Sequence, residues 1–139
     1  MLMTNQLSEI QRPNLGILHP GEMGLSVAAS ARNSGHPVYW VSEGRSAKTA
    51  ERAARENLLD AGTLANLCAT CEIILSVCPP DTAEAVAESV AAQGFSGLYV
   101  DMNAIAPQRS LHIGEIMAKA GATLVDGGII GGPAWKPGT

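Results

Sequence analysis

Short apolar runs alternate with amphipathic or alanine-rich segments along most of the chain. From Asn14 onward, each apolar run has the length of a strand, and each segment between two runs has the spacing of a helix with one apolar face. Strands that alternate with crossover helices are typical of a parallel sheet that carries helices on both faces. The pattern predicts an α/β fold with a doubly wound, mostly parallel sheet.

Capping and breaking residues place the individual elements. Residues 1–13 show no period, and we interpret them as a flexible leader. We predict strands at 15–18, 38–41, 58–59, 73–78, 98–101 and 123–126. We predict helices at 22–34, 46–57, 63–68, 81–93 and 107–120. The second helix is expected to be capped by Ser46 and to bury one small apolar face, formed by Ala47, Ala50, Ala53 and Ala54.

A glycine-bearing turn joins the first strand to the first helix. Residues 15–24 read Leu-Gly-Ile-Leu-His-Pro-Gly-Glu-Met-Gly, and the spacing Gly-x-Gly-x-x-Gly falls on His19, Gly21 and Gly24. Such glycines let the backbone approach a pyrophosphate, which rests on the N–H groups and the positive end of the helix. The turn favours a Rossmann-type dinucleotide-binding domain over residues 14–126. A chance glycine turn in an unrelated doubly wound domain is the alternative.

Four segments follow predicted strand ends at one edge of the sheet. They are residues 19–24, 42–46, 77–80 and 101–107. Ligands of open parallel sheets bind outside the carboxyl ends of the strands, so we expect these segments to line one crevice.

The segment after the second strand bears on the choice of cofactor. It reads Ser-Glu-Gly-Arg-Ser, and Arg45, flanked by the hydroxyls of Ser42 and Ser46, can hold the 2′-phosphate of NADP. Glu43 would repel that phosphate if it pointed inward. We favour NADP over NAD. The alternative is a solvated turn in which Ser46 only caps a helix.

Composition and charge exclude other classes. The net charge of −4 offers no basic surface for nucleic acid, and no apolar run approaches the roughly 20 residues of a membrane span. No N-terminal signal pattern is present, so we expect a cytoplasmic protein. Cys68, Cys71 and Cys78 have no histidine at ligand spacing, and we expect buried thiols and no metal site.

Four motifs in order make the chain resemble the β-hydroxyacid dehydrogenases and their relatives, which include 6-phosphogluconate dehydrogenase and the imine reductases. They are Gly21-Glu-Met-Gly24 with Gly35-His36 after it, Val77-Cys-Pro79, Asp101-Met-Asn-Ala-Ile-Ala-Pro107 and Asp126-Gly-Gly-Ile-Ile-Gly-Gly132. The third is similar to the family's Asp-x-Ser-Thr-x-x-Pro, and the last to its Asp-Ala-Pro-Val-Ser-Gly-Gly. The resemblance implies hydride transfer between NAD(P) and a carbonyl, hydroxyl or imine carbon.

The resemblance also implies roles for single residues. The cofactor would be held at its pyrophosphate by His19, Pro20, Gly21, Glu22, Met23 and Gly24, at its adenosine end by Ser42, Arg45 and Ser46, and in its middle by Val77, Cys78 and Pro79. Asn103 would lie at the nicotinamide and the substrate. Backbone N–H groups of Ile130, Gly131 and Gly132 would face a substrate anion.

Three departures from the family pattern affect these roles. His19 stands in place of a glycine, Asn103-Ala104 in place of the Ser-Thr pair, and Ile130 in place of a small hydroxyl residue. An altered or more apolar substrate is therefore expected.

No catalytic residue is assigned in this chain. In the family, the proton-transferring lysine lies on a long helix of a C-terminal helical domain, and we expect both to be absent here. Residues 127–139 are interpreted as a glycine- and proline-rich loop that leads to the missing domain.

We therefore predict that the chain binds a dinucleotide but does not catalyse hydride transfer. Its expected partners are the cofactor, a small-molecule substrate, and either a second copy of the chain or the missing helical domain. The alternative function is a non-catalytic nucleotide-binding or regulatory module.

Overall fold

A sheet of six parallel strands forms the centre of the protein in the computed structural model, which describes residues 12–138. The strands are β1 (Leu15–Leu18), β2 (Val38–Trp40), β3 (Leu59–Asp60), β4 (Ile73–Ser76), β5 (Leu98–Asp101) and β6 (Thr123–Asp126). Their spatial order is β3-β2-β1-β4-β5-β6. The order reverses between β1 and β4, and such a reversal opens a crevice at the carboxyl ends of the strands.

Five α-helices connect the strands. They are α1 (Glu22–Asn33), α2 (Ala47–Arg55), α3 (Leu64–Thr70), α4 (Ala83–Ala92) and α5 (Pro107–Ala120), and a 3₁₀ turn (Pro80–Thr82) precedes α4. The Ser46 hydroxyl accepts a hydrogen bond from the Thr49 N–H at 3.2 Å and caps α2 as predicted. None of the helices within residues 12–138 is both long enough and apolar enough to cross a membrane.

Two apolar clusters lie on opposite faces of the sheet, because successive side chains of a strand point to opposite sides. On one face, Ile17 of β1 packs with α1 and with Trp40 of β2. On the other face, Tyr99 of β5 packs with residues of α5 that include Ile113 and Met117. Helices therefore cover both faces, and the predicted doubly wound parallel sheet is confirmed.

Some predicted boundaries are wrong by one or two residues. β4 ends at Ser76 rather than at Cys78, because the Cys78 N–H donates to the side chain of Asn103 and leaves the sheet. The helix predicted at 81–93 begins as the 3₁₀ turn before it becomes α4. Of the predicted leader, residues 1–11 lie outside the described residues.

The predicted apolar face of α2 is also wrong. Of its four alanines, only Ala53 is buried, while Ala47, Ala50 and Ala54 are exposed. The physical reason is the position of the helix: α2 connects β2 to the edge strand β3, where little of the sheet is available for a helix to cover.

The close packing of β1 against α3 gives a test of the fold. A methyl group on Gly16 would lie 2.9 Å from Leu67 Cδ2 and 3.3 Å from Cys71 Sγ, whereas one on Gly128 would meet nothing within 4 Å. We expect Gly16→Ala to lower the free energy of unfolding by about 1–3 kcal/mol, since extra volume in a packed core forces neighbours apart. Gly128→Ala is the matched control and should be neutral or slightly stabilising. Urea unfolding followed by circular dichroism measures both, and equal effects would contradict this packing.

Candidate functional site

A cavity of about 590 Å³ lies at the carboxyl ends of β1, β4 and β5. Its volume is in the range of sites for small molecules and cofactors. Most of the predicted cofactor residues line this cavity: His19, Pro20, Gly21, Glu22, Met23, Gly24, Arg45, Val77, Cys78, Pro79 and Asn103. The structure thus brings together residues that follow the carboxyl ends, or exits, of four strands.

The turn between β1 and α1 forms one wall of the cavity. Gly21 precedes the first residue of α1 and, having no side chain, cannot cap the first-turn N–H groups. The Gly21 N–H donates to the carbonyl oxygen of His19 at 2.7 Å, and a methyl group on Gly24 would lie 3.2 Å from that same oxygen. The close approach keeps the helix start against the turn, where its N–H groups and dipole favour an anion.

His19 adopts a backbone conformation that is unusual for a residue with a side chain. Its φ is 55°, in the left-handed region that glycine enters most easily. The histidine therefore adopts a backbone conformation that a glycine would adopt more easily. Burial, and then the charge of Arg45, lower the pKa of the half-buried imidazole below its usual value, so the neutral ring is favoured.

A second cavity, of about 330 Å³, adjoins the first. Its walls carry apolar side chains from β1, from the chain just after β2, and from α3 and α4: Leu18, Val41, Leu64, Val86 and Val90. His19 and Arg45 are the two described residues that line both cavities. Sequence reasoning missed this cavity, because its walls come from ordinary core positions of separate elements.

Asn103 connects the exits of β4 and β5. Its side-chain oxygen accepts from the Cys78 N–H at 2.8 Å, its amide nitrogen donates to Ser76 Oγ at 3.2 Å, and its backbone N–H donates to Asp101 Oδ1 at 2.8 Å. The side chain is 5% exposed, so the amide is committed to the protein rather than free for a ligand. Its observed contacts position the Val77–Pro79 segment.

Two polar atoms of β5 are buried without a hydrogen-bond partner among residues 12–138. They are the Tyr99 hydroxyl and Asp101 Oδ2. Burial raises the pKa of the Asp101 carboxyl and that of the Tyr99 phenol. Burial therefore makes ionisation of either group less favourable than it is in water.

Arg109 stabilises the same edge from α5. Its Nη2 donates to the Pro80 carbonyl oxygen at 2.8 Å, and its Nε donates to Glu84 Oε1 at 3.1 Å. These contacts tie α5 to the start of α4 and to the segment that lines the cavity. The sequence gives no local signal for this interaction, because the partners are distant along the chain.

Several predicted site residues lie away from both cavities. Ser42, Ser46, Ile130, Gly131 and Gly132 line neither one, and Ile130 is fully exposed. The glycine-rich loop reaches the first cavity through Ile129 instead. The cavity also contains Thr49 and Ile129, which sequence reasoning missed. Pro80, Met102 and Ala104 line it as well; they lie in segments predicted to line the crevice, although no role was assigned to them individually.

The remaining cysteines and histidines have structural positions. Burial raises the pKa of Cys68 to about 11 and that of Cys71 to about 12, which makes both thiols poor nucleophiles. Within residues 12–138, no cluster of three metal-binding side chains occurs. His36 Nδ1 lies 3.0 Å from the Pro13 carbonyl oxygen, and His112 lies near Glu115 on the exposed side of α5.

The strand order and the turn define a dinucleotide-binding α/β domain, and sequence comparison gives its family. The family described as the NAD-binding domain of 6-phosphogluconate dehydrogenase matches residues 14–136. The chain belongs to this family of NAD-binding domains. Among curated protein sequences, none matches the chain.

Solved structures share the fold. A conserved protein of unknown function, described as similar to 3-hydroxyacid dehydrogenases, is 27% identical, with a TM-score of 0.76 over 85% of this chain and 44% of that one. A 3-hydroxyisobutyrate dehydrogenase from Mycobacterium tuberculosis is 18% identical, with a TM-score of 0.77 over 86% and 41%. An imine reductase from Myxococcus stipitatus in complex with NADP⁺ is 20% identical, with a TM-score of 0.76 over 88% and 43%. The chain spans less than half the length of these proteins.

The conformation of His19 can be tested without a ligand. His19→Gly and His19→Ala both remove the imidazole, but only glycine enters the left-handed region without a steric penalty. We expect His19→Gly to be more stable than His19→Ala by about 1 kcal/mol. Position 54, which is helical and exposed, is the control and should show the opposite order. There the wild-type protein, with alanine, should be more stable than the Ala54→Gly variant by a similar amount. Thermal unfolding measures all of these, and a more stable His19→Ala would contradict the assigned turn.

Proposed function

We propose that the chain binds NADP(H) across its two cavities. In this proposal it is the cofactor domain of an oxidoreductase that transfers hydride to or from a carbonyl, hydroxyl or imine carbon. The observation that carries the proposal is the turn of residues 19–24, which places the start of α1 at a cavity that shares His19 and Arg45 with a second, more apolar one. An elongated ligand with an anionic centre and an apolar end fits this arrangement.

Each part of a dinucleotide has a matching environment. The N–H groups at the start of α1 suit the pyrophosphate, and the uncrowded backbone at Gly21 leaves room for it. The apolar walls of the second cavity suit an adenine ring. The nicotinamide, which supplies the hydride, would then lie toward the exits of β4 and β5, beside the Val77–Pro79 segment and Met102.

The preference for NADP over NAD rests on Arg45. This residue lines both cavities, at the place where the adenosine ribose would pass from one to the other. A planar, permanently charged group suits a phosphate dianion. Glu43 lines only the second cavity. Among the similar structures, imine reductases from Myxococcus stipitatus are in complex with NADP⁺ and, as a variant, with NAD⁺, so the family fold is compatible with either cofactor.

The reaction partner is proposed to be a small molecule that reaches the cofactor from the side of β5 and β6. Asn103 is already committed to the Cys78 N–H, and we assign it to positioning the cofactor segment rather than to holding substrate. We further propose that residues 127–139 lead toward a helical domain that supplies the proton-transferring group. The chain covers only 44% and 41% of two similar solved structures, which supports this extension.

Titration with both cofactors tests the proposal. We expect saturable binding of NADPH, followed by cofactor fluorescence, and weaker binding of NADH. Arg45→Ala should weaken NADPH binding by about 10- to 100-fold, because it removes charge-assisted hydrogen bonds, and should change NADH binding much less. Arg55→Ala, at the far end of α2 and outside both cavities, is the matched control and should leave both affinities unchanged. The absence of saturable binding of either cofactor below millimolar concentration would contradict the function.

A further inference from the structure

His19 occupies a special position between the two cavities. Together with Arg45 it lines both cavities, and we call the place where these two residues lie the boundary between the cavities. Arg45 carries a fixed charge, whereas the imidazole of His19 can gain or lose a proton in the physiological range. The boundary thus combines one permanent cation with one titratable base.

The backbone of His19 has an energetically unfavourable conformation in the position where it holds the imidazole at this boundary. A left-handed conformation is unfavourable for a residue with a side chain and persists only where its surroundings enforce it. The hydrogen bond from the Gly21 N–H to the His19 carbonyl and the close approach of Gly24 to the same oxygen fix the turn. A glycine at position 19 would adopt this conformation without strain. What His19 provides in addition to the turn is therefore its imidazole.

We propose that His19 and Arg45 form a two-part site for the 2′-phosphate of NADP, in which His19 takes up a proton when the phosphate binds. The inference rests on the proposed function, because it requires the adenosine end of the cofactor to lie at this boundary. It makes His19 a residue that determines cofactor specificity, in addition to Arg45.

The charges around His19 agree with proton uptake. In the protein alone, burial and Arg45 both disfavour the imidazolium. A phosphate dianion placed between the two side chains would outweigh Arg45 and favour the protonated ring. Other titratable groups share a cavity with His19: Glu43 on the chain before Arg45, Glu22 at the start of α1, and Cys78 after β4. These groups are present whichever cofactor binds, so they do not distinguish NADPH from NADH.

The consequence is a cofactor preference that depends on pH. As pH falls from about 8.5 to 6.5, NADPH binding should strengthen by up to about tenfold for each pH unit, because one proton is taken up with the ligand. Below about pH 6 the 2′-phosphate itself becomes protonated, and the gain should end. NADH, which has the pyrophosphate but lacks the 2′-phosphate, should show a much smaller dependence.

Isothermal titration calorimetry of the full chain near pH 7 tests the inference directly. Titrations with NADPH and NADH in two buffers of different ionisation enthalpy give the number of protons taken up with each cofactor. We expect net uptake with NADPH and close to none with NADH. His19→Asn should abolish the uptake while preserving the turn, since asparagine tolerates the left-handed region. The control variant His112→Gln removes an exposed histidine of α5 that lies outside both cavities. This variant should retain the proton uptake on NADPH binding.

The outcomes separate this inference from the proposed function. If neither cofactor binds, the proposed function fails. If both bind but uptake is absent, is equal for NADPH and NADH, or persists in His19→Asn, the role of His19 is overturned while cofactor binding stands. Equal uptake with both cofactors would instead place the imidazole at the pyrophosphate.

Discussion

The lack of space for a side chain at Gly24, beside the carbonyl oxygen of His19, is the constraint on which the site depends. A side chain at position 24 would crowd that oxygen, so the glycine allows α1 to begin directly against the turn. This places the positive end of α1 at the reversal of strand order between β1 and β4. An anion site built from the N–H groups of a helix start needs no excess of basic side chains, and it is compatible with the net charge of −4.

The opposite side of the cavity is held by hydrogen bonds and not by close backbone packing. Asn103 joins the exits of β4 and β5, and Arg109 ties the segment after β4 to α5. On β5, Tyr99 and Asp101 are buried, each with a polar atom that lacks a partner among residues 12–138. Each such unpaired buried polar atom lowers the stability of the fold.

The sequence predicted the features that are local and missed those that depend on tertiary contacts. The strands, the capping of α2 by Ser46 and the turn at residues 19–24 follow from short patterns, and the structure shows each at the expected place. The exposed face of α2 was not predictable from its alanines, because burial depends on the position of the helix at the edge of the sheet. The commitment of Asn103 to Cys78, the contacts of Arg109 and the second cavity arise between distant segments. No short pattern encodes them.

The central claim is that one dinucleotide spans both cavities at the carboxyl edge of the sheet. Backbone amide shifts in nitrogen–proton NMR spectra of the chain, recorded with and without NADPH, test it most directly. The account predicts the largest shifts at Gly21, Gly24, Cys78 and Asn103, with smaller shifts at Arg45. The amides of residues 94–97, at the amino end of β5, should not move. Shifts confined to that opposite edge, or none under conditions where NADPH is bound, would contradict the account.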